Sequence, residues 1–557
     1  MRETDSRGSA AAVASGFSGD HPAFRLWWWL GLIAVTAGFA AAAYRVRFHL
    51  LNTEADTWVH LALIRHTMEH GWFAGDAFYA DMGTPPYYSL LHGAAAAVCR
   101  LTGLAPHELW VVLPPFLIAA TVAATFAWLR ALTGDMRVAS IGALTQLLLS
   151  APADPAWCVI MYPRGLALVP YALALFAYLR WHERRQQRWL AAAALALGAC
   201  LATHLFSGGF CALSLLFLDL SLSRRLPSLG LVMVAAGGLL LSAPWLLNVL
   251  LRWREREVLA PELFDASQPL FGHETWSISW GPATLLMYRP DAILKALPGP
   301  VWIPVALGLL LALWRWRTGT ATASERFALY ATFGTLLLLL TPIFGVLKTA
   351  GGVWTGRMVQ VIPLALLAGA GTVGTSSLVR HYAWPGRAAA LALGAGVLWG
   401  TALAVWTYFN AWSQLTWFFA PGPLQNWHLE DELAQTGFTP RVVLSDPMTS
   451  YVLPYYLGTA VVAMPPAHGS AYVDHRTRLK AVANAFNPLT RSAELFAILD
   501  RYQVDAVAIA APRVWNQQLA TQAAALLPRL QRMAAFEDTG CCTGLTILRY
   551  RPEPRRK

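Results

Sequence analysis

Charge is scarce in this chain: 13% of its 557 residues are charged, against 56% hydrophobic. That balance excludes a string of soluble domains. Apolar stretches of about twenty residues, separated by short charged loops, point instead to a polytopic membrane protein. Acids are scarcer than bases, 31 Asp and Glu against 42 Lys and Arg. The apolar segments hold almost no carboxylate, with Asp219 close to an inner end, which leaves no acid chain for an ion or proton relay. No internal or inverted repeat is present, which further disfavours a secondary transporter. The six cysteines show no zinc-ligand spacing. Cys541 and Cys542 are adjacent, and strain disfavours a bond between neighbours. The first apolar run, Leu26 to Tyr44, lacks a small-residue cleavage site and reads as a retained signal anchor.

What is present is a series of apolar runs near 26–44, 109–130, 138–152, 165–180, 189–204, 207–222, 228–250, 299–314, 327–346, 358–379 and 388–411. Counted as eleven crossings, they put arginine-rich loops such as "RWHERRQQR" and "SRRLPS" inside, while the short outer loops carry Arg164, Lys348 and Arg357. This satisfies the positive-inside rule. A twelfth crossing at Ser89–Leu104 would reverse it, so that segment belongs to the first outer loop, lying along or partly entering the membrane. The net charge of +11 therefore reflects topology and contact with anionic lipid, not nucleic-acid binding.

The expected architecture is a membrane all-α bundle of about eleven helices with an extracytoplasmic carboxy-terminal α/β domain. A cytoplasmic tail covers 1–25, the membrane domain 26–411 with large outer loops at 45–108 and 251–299, and the outer domain 412–557. Strand-like runs "RVVLSD", "AVVAMP", "DAVAIAA" and "TGLTILRY" alternate there with helical ones such as "SAELFAILDRYQV".

The polar features of interest gather at the outer face. After the first crossing comes "NTEADTWVHLALIRHTMEHG", with Glu54 and Asp56 at its start. Trp58, Leu61, Ile64 and Met68 recur at helical spacing, which suggests an amphipathic helix on the membrane surface. Asp56 there is either a helix cap or a functional acid. Asp154 lies in "SAPADPAWCVIMYPRG" as a turn residue or a supporting acid, and His204 opens "THLFSGGF" at an outer helix end. Arg357, after "KTAGGVWTG", can snorkel to headgroups or grip a lipid phosphate with help from Lys348. In the second outer loop "FGHETWSISW" offers Glu274, and the terminal domain clusters His468 and Arg476 in "MPPAHGSAYVDHRTR".

The stretch "ADTWVHLALIRHTMEHG" resembles the start of the first outer loop in the C-type superfamily of integral membrane glycosyltransferases, and within it oligosaccharyltransferase catalytic subunits. Asp56, Trp58, His60, Arg65 and Gly71 carry the likeness. It implies a catalytic centre at Asp56, a donor sugar on a polyprenyl phosphate, and a phosphate grip at Arg357. The Trp-Trp-Asp-Tyr-Gly motif of oligosaccharyltransferases is missing, which argues against a protein acceptor.

The resulting expectation is an inverting glycosyltransferase in a bacterial plasma membrane. Asp56 would be base, Glu54 or Asp154 its support, and Arg357 and Lys348 the phosphate ligands. His60, Trp58, His204, Glu274, His468 and Arg476 would line the acceptor or substrate side. Its partners would be a polyprenyl-phosphate-linked sugar, membrane lipids and an extracytoplasmic glycan, lipid or polymer. No cofactor is specified; a divalent cation, magnesium or manganese, is left open, and a lone Asp154 supplies few ligands for it. The competing classes are a flippase or transporter of lipid-linked sugars and a non-catalytic assembly or sensor protein.

Overall fold

The computed structural model describes residues 22–45, 55–85, 87–148, 162–223, 227–251, 275–280, 283–297, 299–381, 388, 429–465, 470, 472–510, 517–542 and 545–551. Helix α1 (Pro22–Arg45) is followed by α2 (Ala55–His70) and α3 (Leu90–Thr102), both within the expected loop 45–108. Then follow α4 (Pro106–Thr133), α5 (Met136–Gln146), α6 (Pro163–Arg184), α7 (Gln187–Thr203) and α8 (Leu205–Ser223). Helices α9 (Leu229–Leu241) and α10 (Ala243–Leu250) meet at a bend of 73°. A hairpin, β1 (Thr275–Trp280) and β2 (Ala283–Tyr288), precedes α11 (Trp302–Arg317), α12 (Ala323–Leu339) and α13 (Ile343–Gly351). A 3-10 stretch, Gly352–Val361, then enters α14 (Leu364–His381).

Five helical stretches are long and apolar enough to cross a membrane among the described residues: Arg25–Arg45, Pro106–Thr133, Leu205–Ser223, Gly299–Arg317 and Thr355–Ser376. The bent pair α9–α10 makes a sixth if it is one span. The runs expected near 138–152, 189–204 and 327–346 are helical but shorter, at 11, 17 and 17 residues. The run at 388–411 lies outside the described residues apart from 388. Helix α3 has 13 residues, about 20 Å of rise, too short for a hydrocarbon layer of about 30 Å. It packs on α2 and α4 with one face buried.

Small residues let these helices approach backbone to backbone. A Cβ on Gly371 of α14 would lie 1.9 Å from the Pro304 carbonyl oxygen of α11, and one on Gly369 2.4 Å from the Val138 oxygen of α5. Helix α14 is thereby clamped from two sides. Near the end of α8, the fully buried Asp219 accepts from the Tyr178 hydroxyl at 2.7 Å and the Ser228 backbone N–H at 2.9 Å, with His182 Nε2 3.4 Å away. One carboxylate thus joins α6, α8 and the start of α9.

The carboxy-terminal region builds a five-stranded sheet from β3 (Val442–Leu444), β4 (Ala460–Val461), β5 (Ala506–Ala510), β6 (Phe536–Asp538) and β7 (Leu545–Tyr550), in the order β4-β3-β5-β7-β6. The first three are parallel and the last two antiparallel to their neighbours. Helices α15 (Leu453–Leu457), α16 (His475–Phe486), α17 (Ser492–Arg501) and α18 (Gln517–Gln531) intervene. Strand side chains alternate between faces. Leu444, Val507, Ile509 and Leu548 pack against the domain's own helices. Val443, Ala506, Ala508 and Ile547 join a core shared with Trp58, Leu61 and Tyr79 from the segment after α1. The backbone also crosses this seam, where Val461 N–H donates to the Phe78 carbonyl at 2.7 Å.

Two sequence expectations need correction. Helix α2 is not a surface helix, because every residue from Thr57 to Ile64 is buried. The sheet and α15 cover the side of Trp58, Leu61 and Arg65, where Arg65 is neutralised, and α3 and α4 cover His60 on the other side. Cys541 and Cys542 are disulfide-bonded to each other.

Candidate functional site

Asp56 occupies the first turn of α2, where a negative charge suits the helix dipole. One residue on, the fully buried Thr57 hydroxyl lies 3.4 Å from the Tyr162 hydroxyl. One turn after Asp56, the buried His60 places Nδ1 2.9 Å from Nε2 of His92. Its ring stacks on Trp110 at 5.8 Å and meets Tyr162 at 5.7 Å.

His92 belongs to the first turn of α3. The Ser89 backbone N–H donates to His92 Nδ1 at 2.9 Å, with the Ser89 hydroxyl 3.2 Å from the same atom. An imidazole thus does what Glu or Gln does in a capping box, satisfying a backbone donor at the helix start. Burial, reinforced by the adjacent His60, pushes the His92 pKa well below the ordinary histidine value.

Three further segments converge here. Tyr162 precedes α6, and the buried Arg164 guanidinium lies over its ring at 5.2 Å. His204 occupies the break between α7 and α8, where its Nδ1 accepts the Ser207 N–H at 3.2 Å and sits 2.8 Å from the Ser207 hydroxyl. Ser207 in turn reaches Gln360 Oε1 at 3.5 Å, on the same 3-10 stretch as the half-buried Arg357. His204 lies within electrostatic reach of Arg357, Arg164 and His60. The Arg357 stretch is braced by the hairpin: a Cβ on Gly356 would fall 2.5 Å from the Tyr288 ring, which itself packs on Phe344. Two arginines, three histidines and hydroxyls are therefore gathered beside the start of α2, an arrangement suited to an oxygen-rich anionic ligand.

Of the residues singled out from the sequence, His60, His204 and Arg357 come together, and Asp56 lies on α2 one turn before His60 with its side chain outside the description. Lys348 lies on α13, ahead of the Arg357 stretch. Glu54, Asp154, Glu274 and His468 fall outside the described residues. Trp58 faces the other way, packing on Tyr455 and Tyr456 at 5.9 and 5.4 Å. Arg476 is exposed on α16. Its neighbour Arg478 is the buried one, 2.6 Å from Asp81 and with its guanidinium over the Tyr79 ring. Asp76, also in this seam, accepts from the Phe78 N–H at 2.8 Å, and burial pushes its pKa up to about 7. Sequence reasoning missed His92, Arg164, Ser207 and Gln360. Ser89 three residues before His92 was the available signal for the first, and Arg164 beside Pro163 at a helix start for the second.

Among the described residues no group of three or more His, Cys, Asp or Glu is placed to hold a metal ion. The His60–His92 pair does not fit one either, because Nδ1 of His92 is taken by Ser89 and the facing nitrogens bond each other.

The fold is shared with two solved glycosyltransferase structures. The oligosaccharyltransferase of Archaeoglobus fulgidus, solved in complex with Zn and sulfate, superposes with a TM-score of 0.51 at 13% identity, covering 85% of this chain and 68% of that one. The arabinofuranosyltransferase AftD from Mycobacteria superposes with a TM-score of 0.53 at 13% identity, covering 93% of this chain and 40% of that one. No protein-family model matches the chain, and no curated protein matches it.

Proposed function

We propose that this protein is a membrane glycosyltransferase that moves a sugar from a polyprenyl-phosphate donor to an extracytoplasmic glycan, lipid or polymer. The observation that carries this reading is the convergence of Arg164, Arg357 and His204 beside the first turn of α2, which bears Asp56. Both structural neighbours are glycosyltransferases by name, which supports the class. The absence of the Trp-Trp-Asp-Tyr-Gly motif favours an acceptor other than protein.

In this mechanism the Asp56 carboxylate takes the proton of an acceptor hydroxyl as its oxygen attacks the anomeric carbon from the face opposite the phosphate. The anomeric carbon–oxygen bond to phosphate breaks with inversion, and the electron pair leaves on the lipid phosphate. Arg357 and Arg164 stabilise that developing charge in a site walled by buried aromatic rings.

The test is transfer of a labelled sugar from a polyprenyl-phosphate donor in membranes. Asp56→Asn should abolish transfer while abundance and membrane insertion match wild type. Full transfer by that variant would sink the assignment.

A further inference from the structure

The bond between Cys541 and Cys542 has a local role that its sequence spacing dictates. A disulfide stabilises a fold by closing a loop in the unfolded chain, and the gain grows with loop length. Between neighbours that loop is the shortest there is, so this bond contributes little as a staple. What it does is shape one turn. Gly540, at a φ of 63°, takes the left-handed position after β6, and its N–H donates to Asp538 Oδ1 at 2.9 Å. The Thr539 N–H and hydroxyl both reach the Ile547 carbonyl of β7, at 3.1 and 2.9 Å. Both cysteines are half-buried and pack on the core that the sheet shares with Trp58 and Leu61.

We propose that Cys541–Cys542 is a thiol–disulfide exchange site for a dithiol reductant, and that its state sets how firmly the turn after β6 grips the shared core. The proposal stands independently of the lipid-linked-donor reading. Partial exposure brings the pair within reach of a small thiol, whereas the free cysteines Cys99, Cys200 and Cys211 are buried. The neighbourhood also gives the exchange a direction. The Thr539 hydroxyl oxygen lies 3.2 Å from Cys541 Sγ, and its one hydrogen can turn from the Ile547 carbonyl to that sulfur. Cys541 is therefore the better leaving group, because a thiolate that accepts a hydrogen bond leaves more readily. A reductant thiolate attacks Cys542 Sγ; the S–S bond breaks and its electron pair goes to Cys541 Sγ, which takes a proton. The reductant's second thiolate then attacks its own sulfur in the mixed disulfide, and Cys542 is released as a thiolate that is protonated in turn. The reductant leaves as a disulfide, having given up two electrons. Two free thiols need more room than a bonded pair, so the turn must give way where it rests on the core.

The test uses full-length wild type in nanodiscs, kept under air, then treated with dithiothreitol and iodoacetamide without denaturant. Mass spectrometry follows the peptide that carries both cysteines. Before treatment it should be lighter by two hydrogens than the dithiol form and take no label; afterwards both cysteines should be labelled. Amide hydrogen exchange in β7 should then rise about tenfold, while exchange in α6, α7 and α8 stays unchanged. With mercaptoethanol, a monothiol, the mixed disulfide should form at Cys542. Thr539→Val keeps the shape of the side chain and loses the hydroxyl. It should slow reduction by dithiothreitol about tenfold, with β7 exchange in the oxidised form within about twofold of wild type.

A free thiol pair in the untreated protein, or a pair that dithiothreitol reduces only after unfolding, would overturn the exchange site. Complete reduction with β7 exchange unchanged would overturn its hold on the core. A mixed disulfide at Cys541, or Thr539→Val reduced as fast as wild type, would overturn the direction. Cys541→Ser combined with Cys542→Ser is permanently open and should exchange like reduced wild type; exchange like the oxidised form would again overturn the hold on the core. Should that variant fail to fold, reduced wild type decides the point alone. None of these readouts uses sugar transfer, so the glycosyltransferase reading stands or falls separately.

Discussion

Helix α2 has two faces that do different work with similar materials. On one, Trp58 and Arg65 receive the carboxy-terminal domain. Arg65 donates to the Tyr455 and Tyr456 carbonyls at 2.7 and 2.9 Å and to Glu69 and Glu430, each at 2.6 Å. Tyr455 also bonds His107 at 2.7 Å. On the other, Thr57 and His60 meet Tyr162 and His92, with the Arg164 guanidinium over the Tyr162 ring. The first face saturates its charge locally, as a joint does. The second gathers imidazoles, hydroxyls and guanidiniums from four separate segments. Residues adjacent in sequence, Thr57 and Trp58, belong to opposite faces because successive positions on a helix lie about 100° apart.

Three measurements can break or sharpen that contrast. The largest effect is expected on the site face: Arg357→Ala and Arg164→Ala should each lower sugar transfer about 10²-fold, with the melting midpoint in detergent unchanged. A parallel fall in stability would make these arginines structural. On the joint face, Arg65→Ala leaves two carbonyls and two carboxylates without their donor. It should cost about 2–3 kcal/mol of stability, read by thermal unfolding, with transfer per folded molecule retained. Transfer lost without any change in unfolding would merge the two faces. The smallest effect concerns Asp76, whose pKa is raised by burial to about 7. The fold favours its neutral form, so its contribution to stability is full at acidic pH and is lost as pH rises toward and through 7. The seam should unfold more readily at pH 8 than at pH 5. Asp76→Asn should flatten that dependence and stabilise at pH 8 by on the order of 2 kcal/mol.

Much of the frame was legible in the residues. The four strand-like runs of the outer domain fall on β3, β4, β5 and β7, because short runs of Val, Ile and Leu bounded by turn residues have few alternatives. Strand β6, "FED", is too short to show an alternation, whereas "TWSISW" of β1 alternates strictly and was a strand signal that the sequence reading passed over. Asp56 stood out by resemblance, and His204 and Arg357 by their place at outer helix ends. His92 did not, because it lies in the alanine-rich "SLLHGAAAAV", where a single histidine looks incidental. Only folding brings Ser89 and His60 to its two nitrogens. Arg476 was favoured over Arg478 for a similar reason: two positions apart on α16, they face different ways, and burial that sequence does not record separates them.

The shared core across the outer seam bears on how such a protein can be taken apart or recombined. A cut at the end of the membrane portion would strip the sheet of the partner for one entire face and remove the carbonyl of Phe78 from the backbone of β4. The carboxy-terminal region is therefore not a cassette that can be expressed alone or swapped between relatives. A functional graft would have to carry Ala55–Tyr79 along with it, because that loop is as much the floor of the outer fold as it is the wall of the site.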